Sequence, residues 1–182
     1  MHDPTSIPTL RTERLILRPW REDDLAPFAA LNSDPIAMEY FPKLLTREES
    51  DAMVGRIRAH FDREGFGLWA VEVPGVAPFI GFTGLARPSF MPQSIEVGWR
   101  LMREHWGAGY ATEAARASLA WAFANLPVSE IVAMVVPDNA RSQRVMAKLG
   151  MTRDPGADFE HPNIPAGSPR RYHWLFRLPR PQ

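Results

Sequence analysis

Between a strand-like run at Ile95–Met102 and a long Ala-rich helix, the chain reads Trp106-Gly107-Ala108-Gly109-Tyr110-Ala111. Small residues at such a junction let main-chain N–H groups approach a ligand closely, and a helix N-terminus points the positive end of its dipole at them. That combination suits an anion, most naturally a phosphate or pyrophosphate, although a glycine-rich turn by itself also serves as plain structure. A second polar pair follows at Asn139 and Ser142, ahead of and inside the next helix, where both residue types also act as caps. Groups able to move protons are Glu96 on the strand, His173 in Arg171-Tyr172-His173-Trp174, and His161 in Phe159-Glu160-His161-Pro162. Glu96 reads as either a base or an ion-pair partner for a nearby Arg. A strand histidine such as His173 is more often a satisfied packing residue than a proton carrier. His105, just before the glycine-rich turn, belongs to the ligand side of that turn or to the surface.

The elements that must position these residues are legible in the spacing. In the Ile95–Met102 run, Val97, Trp99 and Leu101 share one face and Glu96, Gly98 and Arg100 the other. The helix opening at Ala111 carries Ala115, Leu119, Ala122 and Phe123 as a buried stripe. Upstream, Arg14–Pro19 alternates like a strand, and Glu22–Asn32 predicts a helix with acidic residues in its first turn. Thr46-Arg47-Glu48-Glu49 is a capping box for a helix over Thr46–Glu64 with the stripe Met53, Ile57, Phe61. Gly67–Val73 and Phe79–Leu85 predict antiparallel strands around Pro74-Gly75-Val76-Ala77-Pro78. A strand at Glu130–Val136, a helix at Ala140–Leu149 stopped by Gly150, and a last strand at Arg171–Leu178 follow, with Asp154–Pro169 a Pro- and Gly-rich loop. Strands on both sides of the central helix imply a mixed sheet in one α/β domain without repeats.

Composition narrows the function classes. The chain has 182 residues, enough for a single domain with a sizeable core, and 21 basic against 21 acidic residues. No strong field therefore favours nucleic acid or an anionic membrane surface. With no cysteine, a disulfide framework, a thiolate metal site and a cysteine nucleophile are excluded. No His/Asp/Glu cluster has metal-ligand spacing, and no Lys-Ser/Thr follows the glycines as a phosphate-binding P-loop requires. The start, MHDPTSIPTL, has no apolar run of a signal peptide, and nothing approaches a membrane span, so a cytoplasmic location is the expectation.

The turn and its flanks resemble the cofactor-binding core of the GNAT (Gcn5-related) N-acetyltransferases, which carry [Q/R]-x-x-G-x-[G/A] at this junction. Gly109 and Ala111 match the small positions, while Trp106 replaces the Gln/Arg. That replacement, in W-G-x-G-Y-A-T-E-A, is similar to the RimJ/RimL-like branch of ribosomal-protein N-terminal acetyltransferases. Thr12–Trp20 (TERLILRPW) resembles that branch's first strand. Pro137-Asp138-Asn139-Ala140-Arg141-Ser142 running into RVMAKLGM resembles its second cofactor-proximal segment. The likeness runs from about Leu10 to Leu178 and implies one GNAT domain over 1–182. The implied fold is α/β (α+β), a mixed, mostly antiparallel sheet of six to seven strands flanked by about four helices. In it the strands at 95–101 and 130–136 splay into a V.

What the resemblance implies about roles is specific. Acetyl-CoA is the co-substrate, with no metal, and a primary amine is the acceptor. Acetyl passes directly in a ternary complex, because the thioester is already activated. Main-chain groups of Trp99 and Leu101 serve the pantetheine amides. The turn Trp106, Gly107, Ala108, Gly109, Tyr110, Ala111 and Thr112 serves the pyrophosphate. An N–H near Leu101 faces the thioester oxygen, an oxyanion contact worth about 3–4 kcal/mol. Asn139 lies near the pantetheine, and Ser142 counts with it among the cofactor-binding residues. Many relatives protonate the thiolate with a Tyr four residues after the Ser position; here that place is Met146, and Ser142 takes the acid role of the Rim-type branch. The candidate catalytic set is Glu96, Ser142 and His173.

The acceptor stays open between a protein or peptide α-amine and a small amine, as does a monomer or a homodimer. No nucleic-acid or membrane partner is implied. Trp20, Phe41, Trp69, Phe90 and Trp99 are candidates for an aromatic acceptor wall or for core, with Phe79–Leu85 and Pro88–Pro92 as candidate wall segments. The competing reading is a non-catalytic CoA-binding sensor or partner-binding module, favoured by Met146 and the open choice of base.

Overall fold

The computed structural model describes residues 7–182; residues 1–6, the start of the stretch read above for a leader, lie outside the described residues. The chain begins with β1 (Leu10–Arg11), β2 (Ile16–Arg18) and, after a 3₁₀ turn at Glu22–Asp24, α1 (Leu25–Ser33). Next come α2 (Arg47–Glu64), β3 (Leu68–Val73), β4 (Ala77–Ala86), β5 (Glu96–Leu101) and α3 (Tyr110–Asn125). The remainder is β6 (Glu130–Val135), α4 (Ala140–Lys148), β7 (Thr152–Arg153), β8 (Phe159–Glu160) and β9 (Tyr172–Pro179). The sheet order is β1-β2-β3-β4-β5-β6-β9-β7, with β8 paired to β9. β1, β7 and β8 are two-residue pieces that no periodicity announces; among the described residues they bring the six longer strands, within the expected six to seven, to nine.

Local chemistry explains most of the boundaries. The capping box at α2 forms as the sequence predicts: the Thr46 side chain accepts from the Glu49 N–H, and Glu49 returns a bond to the Thr46 N–H. Such a cap is worth about 1 kcal/mol. Gly65 closes the helix in the left-handed region at φ 75°. The helix expected over Glu22–Asn32 starts later, because Asp24 is drawn inward. Its carboxylate takes both Nη atoms of Arg18, at 2.8 and 2.9 Å, while Arg18 Nε reaches Glu72 at 2.7 Å. Both Arg18 and Asp24 are buried, a charge pair tolerable only because each hydrogen-bonding atom is satisfied. The loop between β7 and β9 is mostly turns, as expected, but contains a 3₁₀ turn at Pro155–Ala157 and β8.

Packing then fixes the layers. α3 presents Ala114, Ala115, Ser118, Leu119 and Ala122 to the sheet, small residues that let its backbone lie close over β4 and β5. α1 and α2 pack on one another, and α4 packs against α3 and β6. Of the aromatics left above between acceptor wall and core, Trp20 and Trp69 are core: Trp69 is fully buried beside Phe61, and Trp20 packs edge-on against Phe28. Among the described residues every strand pairing is antiparallel except β5 with β6. Those two meet only at Glu96↔Val132, where the Val132 N–H donates to the Ile95 carbonyl at 2.9 Å. Beyond that point they part, and the V they leave is where the polar residues gather. Among the described residues no helix is long and apolar enough to cross a membrane.

Candidate active site

Alternation along β5 decides what faces the gap. Ile95 bonds toward β6, whereas Met102 N–H bonds back to Ile80 of β4, so the main-chain groups of residues 95, 97, 99 and 101 point away from β4. At Trp99 and Leu101 no β6 partner meets them. The Leu101 carbonyl accepts from the Trp106 indole N–H at 2.8 Å, which ties the glycine-rich turn to the strand edge. Trp106 thus spends its one donor inside the protein.

The turn itself bends at Gly107 and Gly109, with φ of 79° and 86°, a region that favours glycine. Gly109 is the N-cap of α3, and no side chain caps the helix. The first intrahelical bond is Glu113 N–H to the Gly109 carbonyl at 3.0 Å, which leaves the N–H groups of Tyr110, Ala111 and Thr112 without helical partners. Glu113 locks the turn from behind. It accepts from Thr12 Oγ1 at 2.6 Å, the Arg14 N–H at 2.9 Å and Arg14 Nε at 2.7 Å, and Arg14 Nη1 holds the Ala108 carbonyl at 2.9 Å. Burial pushes the Glu113 carboxyl up, but these bonds outweigh it and leave its pKa lowered. Arg14 and Thr12 were not foreseen from the sequence as partners of the turn.

An open cleft of about 260 Å³ lies along this edge, lined by the turn from Trp106 to Thr112 except Ala108, whose carbonyl is turned to Arg14. His105 and Leu101 line it too, with Arg144 and Lys148 of α4 adding positive charge. A second cavity of about 440 Å³ lies on the other side of the V and holds Glu96, His161 and His173 together. Tyr40, Phe41, Trp99, Arg100, Asn139 and Ser142 line both, so the two spaces meet there. At that junction Asn139 Oδ1 accepts from the Ser142 N–H at 3.1 Å and caps α4. Met146, one turn on, is buried in the wall. Phe82 and Ala86 supply the β4 wall, Pro88–Pro92 none of it, and Phe90 packs on His161 and Phe159.

The titrating groups are in unusual surroundings. The Glu96 carboxyl has no ion pair or hydrogen bond among the described residues, so the ion-pair alternative raised above does not occur. Burial in the low-dielectric wall pushes its carboxyl up to about 7. His173 donates from Nδ1 to the Arg171 carbonyl at 3.0 Å, an assignment that follows from the carbonyl being acceptor-only and leaves Nε2 as the acceptor. Burial lowers its pKa, so it is neutral at neutral pH. His161 accepts the Asn163 N–H on Nδ1 at 3.3 Å; burial, then the neighbouring His173, lowers it. Arg100 was seen in the sequence only as sharing a strand face with Glu96. It emerges as a cation between the rings of Phe41 and Phe82, 3.9 and 5.3 Å from their centroids.

Comparison with known proteins places this geometry. The family model of the Acetyltransferase (GNAT) domain matches residues 14–152. The uncharacterized protein YkkB of Bacillus subtilis is 33% identical over 144 residues, covering 78% of this chain and 84% of that protein. The crystal structure of an acetyltransferase from Agrobacterium tumefaciens superposes with a TM-score of 0.79 at 30% identity, over 95% of each chain. RimL, a ribosomal L7/L12 α-N-protein acetyltransferase solved with coenzyme A, shares the fold at a TM-score of 0.76 and 13% identity, over 94% of this chain and 98% of its own.

Proposed function

The chain belongs to the GNAT acetyltransferase family and is an acyltransferase, and on that premise we propose that it passes the acetyl group of acetyl-CoA directly to a primary amine, both substrates being bound at once. The observation that carries this reading is the junction: a cleft with an uncapped helix N-terminus and a cavity with an unpaired carboxyl meet at the open edge of β5. The residues present fit the co-substrate. The N–H groups of Tyr110, Ala111 and Thr112 bind the pyrophosphate. Trp99 offers main-chain N–H and C=O to the pantetheine amides, as a strand edge does to a peptide. Leu101 offers only its N–H, since Trp106 occupies its carbonyl. Bound acetyl-CoA supplies an acyl carbon already activated as a thioester, and the cysteine-free chain needs no covalent intermediate.

The protein's part in the chemistry follows. Glu96, with a pKa of about 7, is substantially ionised at neutral pH and still basic enough to take a proton from the acceptor's ammonium, directly or through one water. The amine nitrogen then bonds to the acyl carbon, and the Leu101 N–H meets the charge that develops on the acyl oxygen. As the carbon–sulfur bond breaks, the Ser142 hydroxyl delivers a proton to the leaving sulfur and is reprotonated, through water, by the second proton that the acylated nitrogen gives up. Met146 cannot donate one. His173 Nε2 is the second candidate base, and pH–rate profiles of Glu96→Gln and His173→Ala separate the two.

Ser142→Ala is expected to lower kcat about 10- to 100-fold while acetyl-CoA affinity stays within about threefold. Full turnover at saturating acetyl-CoA removes Ser142 from the chemistry. Gly109→Val, forced to φ 86° with its Cβ 3.4 Å from Arg14 Nη2, distorts the turn. Calorimetry with CoA should show at least about tenfold weaker binding in a chain whose circular dichroism is unchanged; unchanged affinity takes Gly109 out of the site. For direct transfer, two-substrate initial-rate plots intersect, and acetyl-CoA alone leaves the intact protein mass unaltered. Parallel plots with an acetylated chain overturn it.

A further inference from the structure

Arg100 is the one charge at the junction that the reaction above does not use. It lies two residues beyond Gly98 on the face of β5 that carries Glu96, and it lines both spaces. Its guanidinium is held in place by a buried polar relay. Nη1 donates to Asn32 Oδ1 at 2.5 Å, and Asn32 donates from Nδ2 to Ser50 Oγ at 2.9 Å, both Asn32 and Ser50 being fully buried. The rings of Phe41 and Phe82 hold its faces. Yet no carboxylate among the described residues pairs with it, and Nε is buried with no hydrogen-bond partner. Burial lowers its pKa only to about 10, so it stays charged at neutral pH. A desolvated, oriented, unpaired guanidinium costs stability unless something anionic completes it.

We propose that this anion is a carboxylate of the acceptor: the substrate is a zwitterionic, amino-acid-type amine whose carboxylate docks on Arg100. The proposal rests on the acetyltransferase reading and narrows its acceptor. The floor between the two charges is open, since nothing lies within 4 Å of where a Cβ on Gly98 would project. An acceptor lying across Gly98 presents its ammonium toward Glu96 and its carboxylate toward Arg100. Phe82, Met134 and Ile164 line the remaining space and suit an apolar side chain. Charge complementarity runs both ways: an amine without a carboxylate leaves Arg100 buried and unanswered, and a diamine sets a second cation against it.

The test compares matched acceptors in CoA-thiol release: phenylalanine, leucine, β-alanine and γ-aminobutyrate, each beside its amide and its decarboxylated amine. At least one amino acid should exceed its amide in kcat/KM by about 10- to 100-fold, the effect of one charge-assisted pair. In Arg100→Met that advantage should collapse to about twofold or less, and in Arg100→Lys, which keeps the charge but not the fork, it should be partly retained. Binding supplies a readout independent of turnover. With CoA present, N-acetylphenylalanine and N-acetylleucine should bind the wild type more tightly than their amides, and Arg100→Met should not distinguish them. Amides or decarboxylated amines preferred by the wild type, or a carboxylate preference that survives Arg100→Met, overturn the proposal while leaving the acetyltransferase reading intact. If no acceptor turns over, absence of the carboxylate preference in binding overturns it. Failure to bind CoA at all is instead the failure of the acetyltransferase reading.

Discussion

Glu96→Gln loses about 10²- to 10⁴-fold in kcat/KM at pH 7.5, the usual worth of a positioned general base. The wild-type profile rises with pH and bends near 7, where the desolvated carboxyl ionises. In the variant that bend disappears, leaving a slow rate that tracks the free-amine fraction. Persistence of the bend in Glu96→Gln and its loss in His173→Ala would move the role to the imidazole. The same carboxyl makes a separate prediction about stability. Its folded pKa lies above the unfolded value near 4.3, so the folded chain keeps a proton that the unfolded chain has already released. Its contribution to stability is therefore largest below about pH 4 and declines as pH rises to about 7. Glu96→Gln removes that decline, so its melting temperature should gain on the wild type between pH 5 and 8. A constant gap across that range contradicts the burial that raises the pKa.

Gly81→Ala should unfold the chain about 10 °C below the wild type, a loss on the order of 3 kcal/mol for a domain of this size. Gly81 sits at φ 131° where β4 crosses β5, and an added Cβ falls 2.2 Å from the Arg100 carbonyl and 2.8 Å from the Leu101 Cα. No flexible side chain can yield there; β5 backbone has to move, at the residues that border the gap. The surviving folded fraction should also bind CoA more weakly. Gly98→Ala is the control: its Cβ meets nothing within 4 Å, so thermal stability is kept. Equal melting of the two variants contradicts the close approach of β4 to β5.

What the sequence disclosed and what it concealed divide by distance along the chain. The strand, glycine turn and helix from Glu96 to Asn125 are contiguous, and so are the Thr46–Glu49 capping box and the Asn139 cap on Ser142. Each is written in a short window whose residue types have few other uses. β1, β7 and β8 were invisible because two residues have no period; pairing with a neighbouring strand is what makes them strands. The partners of the glycine turn, Thr12 and Arg14, lie about a hundred residues from Glu113 and were brought to it only by the fold. Arg100 is the same case: its alternation with Glu96 was legible, but its guanidinium is set by Asn32 of α1, and no pattern along β5 says that a helix amide will meet it. Trp69 and Phe41, alike in the sequence as large aromatics, parted company because β3 is buried on both faces and the loop carrying Phe41 crosses the junction.

The most direct test of the account is to incubate the chain with acetyl-CoA and the matched amines and follow two products together, CoA thiol by colour and the acceptor by mass. Direct transfer at the β5–β6 gap predicts thiol and N-acetylated amine appearing in equal amounts, and both slowed together at least about 100-fold in Glu96→Gln. CoA binding with no acetylated amine from any acceptor contradicts it, and leaves the fold serving as a CoA-binding module.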